Sequence, residues 1–195
     1  PPTTISRFVQ DLDSLPFPDK ELYAQTRPRG HVYRIMTARG CPYRCTFCFN
    51  NFYANLPTDG IQKEYVRRRS VDNVLEELVR GKERYKFKHV EFHDDIFTMK
   101  VEWLREFLPR FRKEIGVPFY CETHAKFMSD EIAELLKVGG CAGTKMGIQS
   151  LGEFSYKVET LKRVEKEEDV INALDACRKA GVEPTFAADL PRDLL

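Results

Sequence analysis

Three of the chain's six cysteines fall within eight residues, in the run Arg39-Gly40-Cys41-Pro42-Tyr43-Arg44-Cys45-Thr46-Phe47-Cys48-Phe49-Asn50. Soft thiolates at this C-x3-C-x2-C spacing suit zinc, copper(I) or an iron–sulfur cluster. An ordinary cubane cluster takes four cysteines, so three in one loop leave one iron without a protein ligand and open to chemistry. A zinc site closes with a fourth Cys or His and commonly pairs two knuckles, and the chain has no second C-x2-C. A thioredoxin-like dithiol at Cys45 and Cys48 leaves Cys41 unexplained.

With its Gly-Cys-Pro entry and an aromatic residue just before the last cysteine, this loop resembles the cluster loop of the radical S-adenosylmethionine superfamily. The resemblance implies that Cys41, Cys45 and Cys48 hold a [4Fe-4S] cluster. It also implies that S-adenosylmethionine chelates the open iron through its amino and carboxylate groups, with Phe47 against the adenine. The expected activity is reductive cleavage of that cofactor to a 5′-deoxyadenosyl radical, which abstracts hydrogen from a small-molecule substrate. Electrons would come from a donor such as a flavodoxin or ferredoxin, and the cofactors carry the difficult chemistry.

Composition narrows the setting. A length of 195 residues suits one domain with a sizeable core. No run of eighteen apolar residues is present, and the first thirty residues lack a signal peptide's apolar segment. Thirty-one basic against thirty acidic residues leave no global field for a polyanion, so nucleic acid is not indicated. Six cysteines without a secretory segment point to a reducing compartment, the cytoplasm.

The loop must be positioned by a scaffold, and the pattern around it supplies one. Residues 1–30 carry five prolines and read as a proline-rich interdomain linker. From His31 onward β-rich runs alternate with helical patterns, which predicts βαβ units and a parallel sheet. Strands are expected at Val32 to Ala38, His89 to His93, Pro118 to Glu122, Gly143 to Ile148 and about Pro184 to Ala188. Between them, Ser70 and Ser129 cap helices, and an apolar stripe of Trp103, Leu104, Phe107, Leu108 and Phe111 contains Pro109, which predicts a kink. Gly139-Gly140 closes the Ser129 helix, and a later stripe of Val170, Ile171, Leu174, Cys177 and Ala180 ends at Gly181. The α/β fold expected is a partial parallel (β/α) barrel, horseshoe-like, with about five to six βα units. Residues 31–195 are expected to form its core domain, incomplete at the C-terminus.

Right-handed crossovers would gather the strands' C-terminal ends at one rim. There the chain places the cysteines, Asp94-Asp95, Thr123-His124, Gln149-Ser150 and Asp189. Alternation puts Glu91, His93 and Asp95 on one side of their strand, with Tyr120, Glu122 and His124, and Lys145, Gly147 and Gln149, on the matching sides of theirs. Val90, Phe92, Phe119, Cys121, Met146 and Ile148 face the other way, toward helices.

Several rim segments extend the resemblance. Phe92-His93-Asp94-Asp95 stands where the superfamily has a Gly-Gly-Glu-like turn, so Asp94 or Asp95 would accept hydrogen bonds from the cofactor's ammonium. Gly147-Ile148-Gln149-Ser150 is similar to a Gly-Ile-Glu-Ser segment near ribose and carboxylate, with Gln149 replacing the acid. Arg163 resembles a basic residue that pairs with the cofactor carboxylate. At the fifth strand Asp189 and Arg192 stand where glycines are expected. The whole is similar to the group that carries an N-terminal cobalamin-binding domain, and cobalamin enters on that resemblance alone.

Other readings stay open at this level. A metal-dependent hydrolase on the same barrel could use His93, Asp95, Glu122 and His124 as ligands, and a non-catalytic cluster or zinc protein would need only the loop. Glu122 and His124 also read as a satisfied interior pair, and Cys121, Cys141 and Cys177 as structural thiols.

Overall fold

A computed structural model describes residues 8–24, 31–56, 64–149 and 154–187. Five parallel strands form the sheet: β1 (Val32–Ile35), β4 (His89–Phe92), β5 (Phe119–Thr123), β6 (Cys141–Gly147) and β7 (Glu183–Ala187), in that spatial order. Two further strands, β2 (Ala38–Arg39) and β3 (Arg67–Arg68), make a separate antiparallel ladder. The helices are α1 (Glu21–Ala24), α2 (Phe49–Ala54), α3 (Val71–Tyr85), α4 (Val101–Glu114), α5 (Asp130–Gly139), α6 (Phe154–Glu159) and α7 (Glu167–Ala180).

Each long helix starts and stops where its own residues allow. The Ser70 hydroxyl accepts from the Asn73 N–H at 3.2 Å to open α3, and Ser129 does the same for Ile132 at 3.3 Å at the start of α5. Gly140 closes α5 at φ 90, a left-handed conformation that costs a glycine nothing. Pro109 lies inside α4 without dividing it.

The core lies between the sheet and these helices. Leu104, Phe107, Leu108 and Phe111 of α4 are fully buried, and the Phe92 ring stacks on Phe97 at 4.5 Å and meets Phe119 edge-on at 5.3 Å. Each such ring contributes about 1.5–3 kcal/mol by leaving water. The expected alternation is present: Val90, Phe92, Phe119, Cys121, Met146 and Ile148 are buried, while Arg34, Glu91, Tyr120, Glu122 and Lys145 stand on the more open face. Register places Arg34 beside Glu91, Glu91 beside Tyr120, and Glu122 beside Lys145.

Two expectations are corrected. The first strand stops at Ile35 rather than Ala38, because the N–H groups of Thr37 and Ala38 donate to the Asp94 carboxylate instead of to a neighbouring strand. The buried face of α7 is Ala173, Ala176 and Cys177, while Ile171 is 48% exposed. Small side chains let α7 lie close against α5, and that closeness turns Ile171 outward.

Candidate functional site

The cysteine loop leaves the β1 end of the sheet through the β2 ladder. Asp94 fixes that exit: it accepts from Thr37 N at 2.5 Å, Ala38 N at 3.0 Å and the Thr37 hydroxyl, and Arg68 Nη1 lies 3.7 Å away. Gly40 follows at φ 87, with its backbone so close to the Tyr65 carbonyl that a Cβ would collide with it. Within the loop, Arg44 Nη1 donates to the carbonyls of Cys41, Pro42 and Tyr43 at 3.1–3.3 Å. From outside, Thr46 N and Oγ1 donate to the carbonyls of Leu161 and Thr160 at 3.1 and 2.9 Å. The Tyr43 ring lies against His124 at 4.5 Å.

The result is a cavity of about 260 Å³ at the C-terminal ends of β4, β5 and β6. Cys41, Cys45 and Cys48 line it, together with Phe47, Asp95, Gln149 and Arg163. Those seven residues, four from the cysteine loop and three from distant segments, are all among the expected site residues. A larger cavity of about 430 Å³ lies between residues 12–20 and β1, but its walls are mostly apolar and hold no thiol; the smaller one is lined by the three thiols.

Asp94 is not brought into the cavity. It is completely buried with its carboxylate engaged at the loop exit, leaving Asp95 as the acid of this turn. Ser150, Asp189 and Arg192 lie outside the described residues. Gln149 adopts φ 65, uncommon for a residue with a Cβ. His124 does not pair with Glu122: its Nε2 stands 3.2 Å from Glu165 Oε2, and Glu122 Oε1 is 3.7 Å from His93 Nδ1.

Three lining residues escaped the sequence. Asn50 Nδ2 donates to Asp95 Oδ1 at 2.7 Å and lies 3.7 Å from the Cys48 sulfur, while its own carbonyl oxygen accepts from Tyr65 OH at 2.5 Å. Its place two residues after Cys48, in the first turn of α2, was the available signal. Tyr43 and Ile96 are the other two, and they line the wall beside the expected Glu122, Thr123, His124, Lys145 and Gly147.

Burial sets the charge states. The Cys41 thiol is pushed up to about 11, first by desolvation and then by the neighbouring acid and thiols. Burial also raises Cys45, against the nearby Arg163 guanidinium, and lifts the Asp95 carboxyl above the usual carboxylate range, against the Asn50 hydrogen bond. Thiols so placed are protonated at neutral pH, so loading a metal group must expel protons.

Behind the cavity, Glu165 is fully buried among Arg163, Lys157 and His124. Burial alone would raise its carboxyl, but the His124 ring, with Nε2 3.2 Å from Oε2, and the hydrogen-bonded Arg163 guanidinium more than reverse that and hold it at about 2, against an ordinary 4.5. A folded value below the unfolded one gives stability that is present above pH 4.5 and lost as the pH falls toward 2. The full depression corresponds to about 3 kcal/mol. Urea unfolding at pH 6 and pH 3 should therefore show a fall about 2 kcal/mol larger in the wild type than in Glu165→Gln. Equal falls in the two proteins would show that this charge is not in the balance.

Among the described residues no three His, Cys, Asp or Glu side chains stand in the geometry that holds one metal ion. His93, Asp95, Glu122 and His124 thus do not form a hydrolase-type centre. The thiols likewise do not converge on one point, as a single tetrahedral zinc requires. A cubane cluster differs in presenting a separate iron to each thiolate; the donor set of three soft thiols at one cavity wall fits it.

Residues 35–190 match the model of the Radical SAM superfamily. The chain is 27% identical over 147 residues to an uncharacterized methyltransferase of Pyrococcus horikoshii, and 27% identical over 154 residues to the cytidylyl-2-hydroxyethylphosphonate methyltransferase of Streptomyces wedmorensis. These matches cover 73% and 72% of this chain but only 30% and 27% of those proteins. In fold, it resembles the cobalamin-dependent S-adenosylmethionine radical enzyme OxsB, with a TM-score of 0.74 at 18% identity over 94% of this chain and 27% of that one. No helix among the described residues is long and apolar enough to cross a membrane. A five-stranded parallel sheet with the thiol loop after its first strand, matched from β1 past β7, identifies the chain as a member of the radical S-adenosylmethionine superfamily, whose enzymes use a [4Fe-4S] cluster and S-adenosylmethionine.

Proposed function

We propose that this chain is the cofactor-binding core of a radical S-adenosylmethionine enzyme, with Cys41, Cys45 and Cys48 as the ligands of a [4Fe-4S] cluster. The observation that carries this reading is the convergence of those three thiols with Asp95, Gln149 and Arg163 on one cavity. When bound, the cluster and S-adenosylmethionine supply the electron and the 5′-deoxyadenosyl radical for hydrogen abstraction. The chain's own residues bind and orient. Asp95, desolvated and steered by Asn50, is suited to an ammonium group, whose charge would favour the ionised carboxylate. Arg163, Lys145 and Gln149 offer donors for a carboxylate, and the half-exposed Phe47 ring offers an apolar face for the adenine.

The names of the curated relatives favour methyl transfer as the outcome, and the likeness to a cobalamin enzyme favours a cobalamin-dependent route with an N-terminal cobalamin domain in the parent chain. Radical rearrangement is the alternative outcome with that cofactor. The substrate is a small molecule. A reducing cytoplasm with a flavodoxin or ferredoxin as electron donor is the expected setting.

Anaerobic reconstitution followed by reduction tests the core of this reading. Adding S-adenosylmethionine should change the electron-paramagnetic-resonance spectrum of the reduced protein. An identical spectrum with and without it would remove the assignment of the open iron.

A further inference from the structure

Glu165 sits in a run of charges, Lys162-Arg163-Val164-Glu165-Lys166-Glu167-Glu168-Asp169, that reads as a solvated surface. The fold instead removes this one carboxylate completely from water. An ion so buried is costly unless several partners answer it, and three do, from three different segments. Arg163 Nε donates to Oε1 at 2.6 Å from the loop after α6, Lys157 Nζ lies 3.2 Å from the same oxygen from α6 itself, and His124 Nε2 lies 3.2 Å from Oε2 at the end of β5.

Two of these partners reach the cavity. Arg163 uses its other arm, Nη2, to donate to the Gly147 carbonyl at 2.6 Å, at the end of β6 and two residues before Gln149. His124 carries the Tyr43 ring of the cysteine loop at 4.5 Å and uses Nδ1 to accept from Lys126 N at 3.2 Å. A single carboxylate behind the wall therefore links the cysteine loop, the end of β5 and the end of β6.

We propose that Glu165 is a positioning residue for S-adenosylmethionine: it touches no ligand, but fixes Arg163 and His124 in the cavity wall so that the Arg163 guanidinium meets the cofactor's carboxylate. This rests on the function proposed above. Partners behind a ligand-bearing residue commonly change affinity by about 10–100-fold when removed, and residues that act as one unit are not additive.

The test is a double-mutant cycle in the cluster-loaded protein, reading S-adenosylmethionine affinity and the electron-paramagnetic-resonance spectrum of the reduced complex. Glu165→Gln and Arg163→Gln should each weaken binding about tenfold, with four irons retained, and the double variant should be no weaker than either single one. Both single variants should also alter the complex's spectrum in the same way. Unchanged affinity in Glu165→Gln, or a double variant whose loss is the product of the two single losses, overturns the proposal. If Glu165→Gln fails to hold iron, Glu165→Asp takes its place, because it keeps the charge but shortens the reach; weakened binding is again expected, and wild-type affinity overturns the proposal. A wild-type protein that holds four irons yet binds no S-adenosylmethionine overturns the underlying function, and this is seen before any variant is compared.

Discussion

Serine at Cys41, Cys45 or Cys48 is expected to abolish the four-iron group after anaerobic reconstitution, while serine at Cys121, Cys141 or Cys177 leaves the iron content unchanged. The first three thiols line one cavity wall, and each would supply one of only three protein ligands, so loss of any one removes a third of the holding bonds. The other three lie under the helices. Cys121 is 3.7 Å from the Thr144 hydroxyl, Cys141 Sγ donates to the Gly143 carbonyl at 3.3 Å, and Cys177 is fully buried on α7. Burial drives Cys177 up to about 11, and a hydrogen bond with Cys121, together with burial, raises Cys141 well above its ordinary value. These are buried core thiols. Serine there costs stability, about 1–3 kcal/mol where the hydroxyl finds no partner, and leaves the iron alone. Iron and sulfide analysis of the six variants decides the matter. Full iron in Cys45→Ser would sink the ligand assignment, and iron lost from Cys177→Ser without loss of fold would show that the core thiols take part.

The parts of this molecule that could be read from sequence are those whose cause is local. Ser70 and Ser129 precede helices because their hydroxyls satisfy N–H groups three residues on, and the alternation along β4, β5 and β6 follows from the pleat. The cysteine spacing belongs to the same class, since a short loop brings its own ligands together. What stayed hidden depends on partners distant in the chain. Nothing near Ile35 says that its strand ends there; the reason is Asp94, which captures two N–H groups 57 and 56 residues earlier. His124 was paired with Glu122 because they are neighbours on a strand, yet its contact is Glu165, which had every local mark of a surface residue. The apolar stripe on α7 failed at Ile171 because the face that packs is chosen by the space beneath it, and small alanines fill that space better.

The two adjacent aspartates give the second large effect, because the fold buries Asp94 at the loop exit and leaves Asp95 on the cavity wall. Asp94→Asn should lower the unfolding free energy of the metal-free protein by about 3–5 kcal/mol, the usual cost of stranding one member of a buried ion pair. Arg68 would be stranded: its side chain is almost wholly buried, its Nε has no hydrogen-bond partner, and its other contacts are the Thr37 hydroxyl, the Ile96 and Phe97 carbonyls and the Trp103 ring at 4.7 Å. All of those are neutral. An amide that keeps its oxygen on the Thr37 and Ala38 N–H groups puts its NH2 in the place of Oδ2, turning donors toward the Arg68 guanidinium. In a chain of this size each kcal/mol moves the melting temperature by about 2–4 °C, so a fall of about 6–20 °C is expected. Asp95→Asn removes a partly buried acid whose side-chain partner, Asn50, is neutral and can donate equally to an amide oxygen, so stability should change by less than about 1 kcal/mol while S-adenosylmethionine affinity falls. Thermal melts of the two metal-free variants, followed by cofactor titration of the loaded ones, separate the roles. An Asp94→Asn protein that melts with the wild type but binds the cofactor weakly would reverse the assignment and make Asp94 the ammonium ligand.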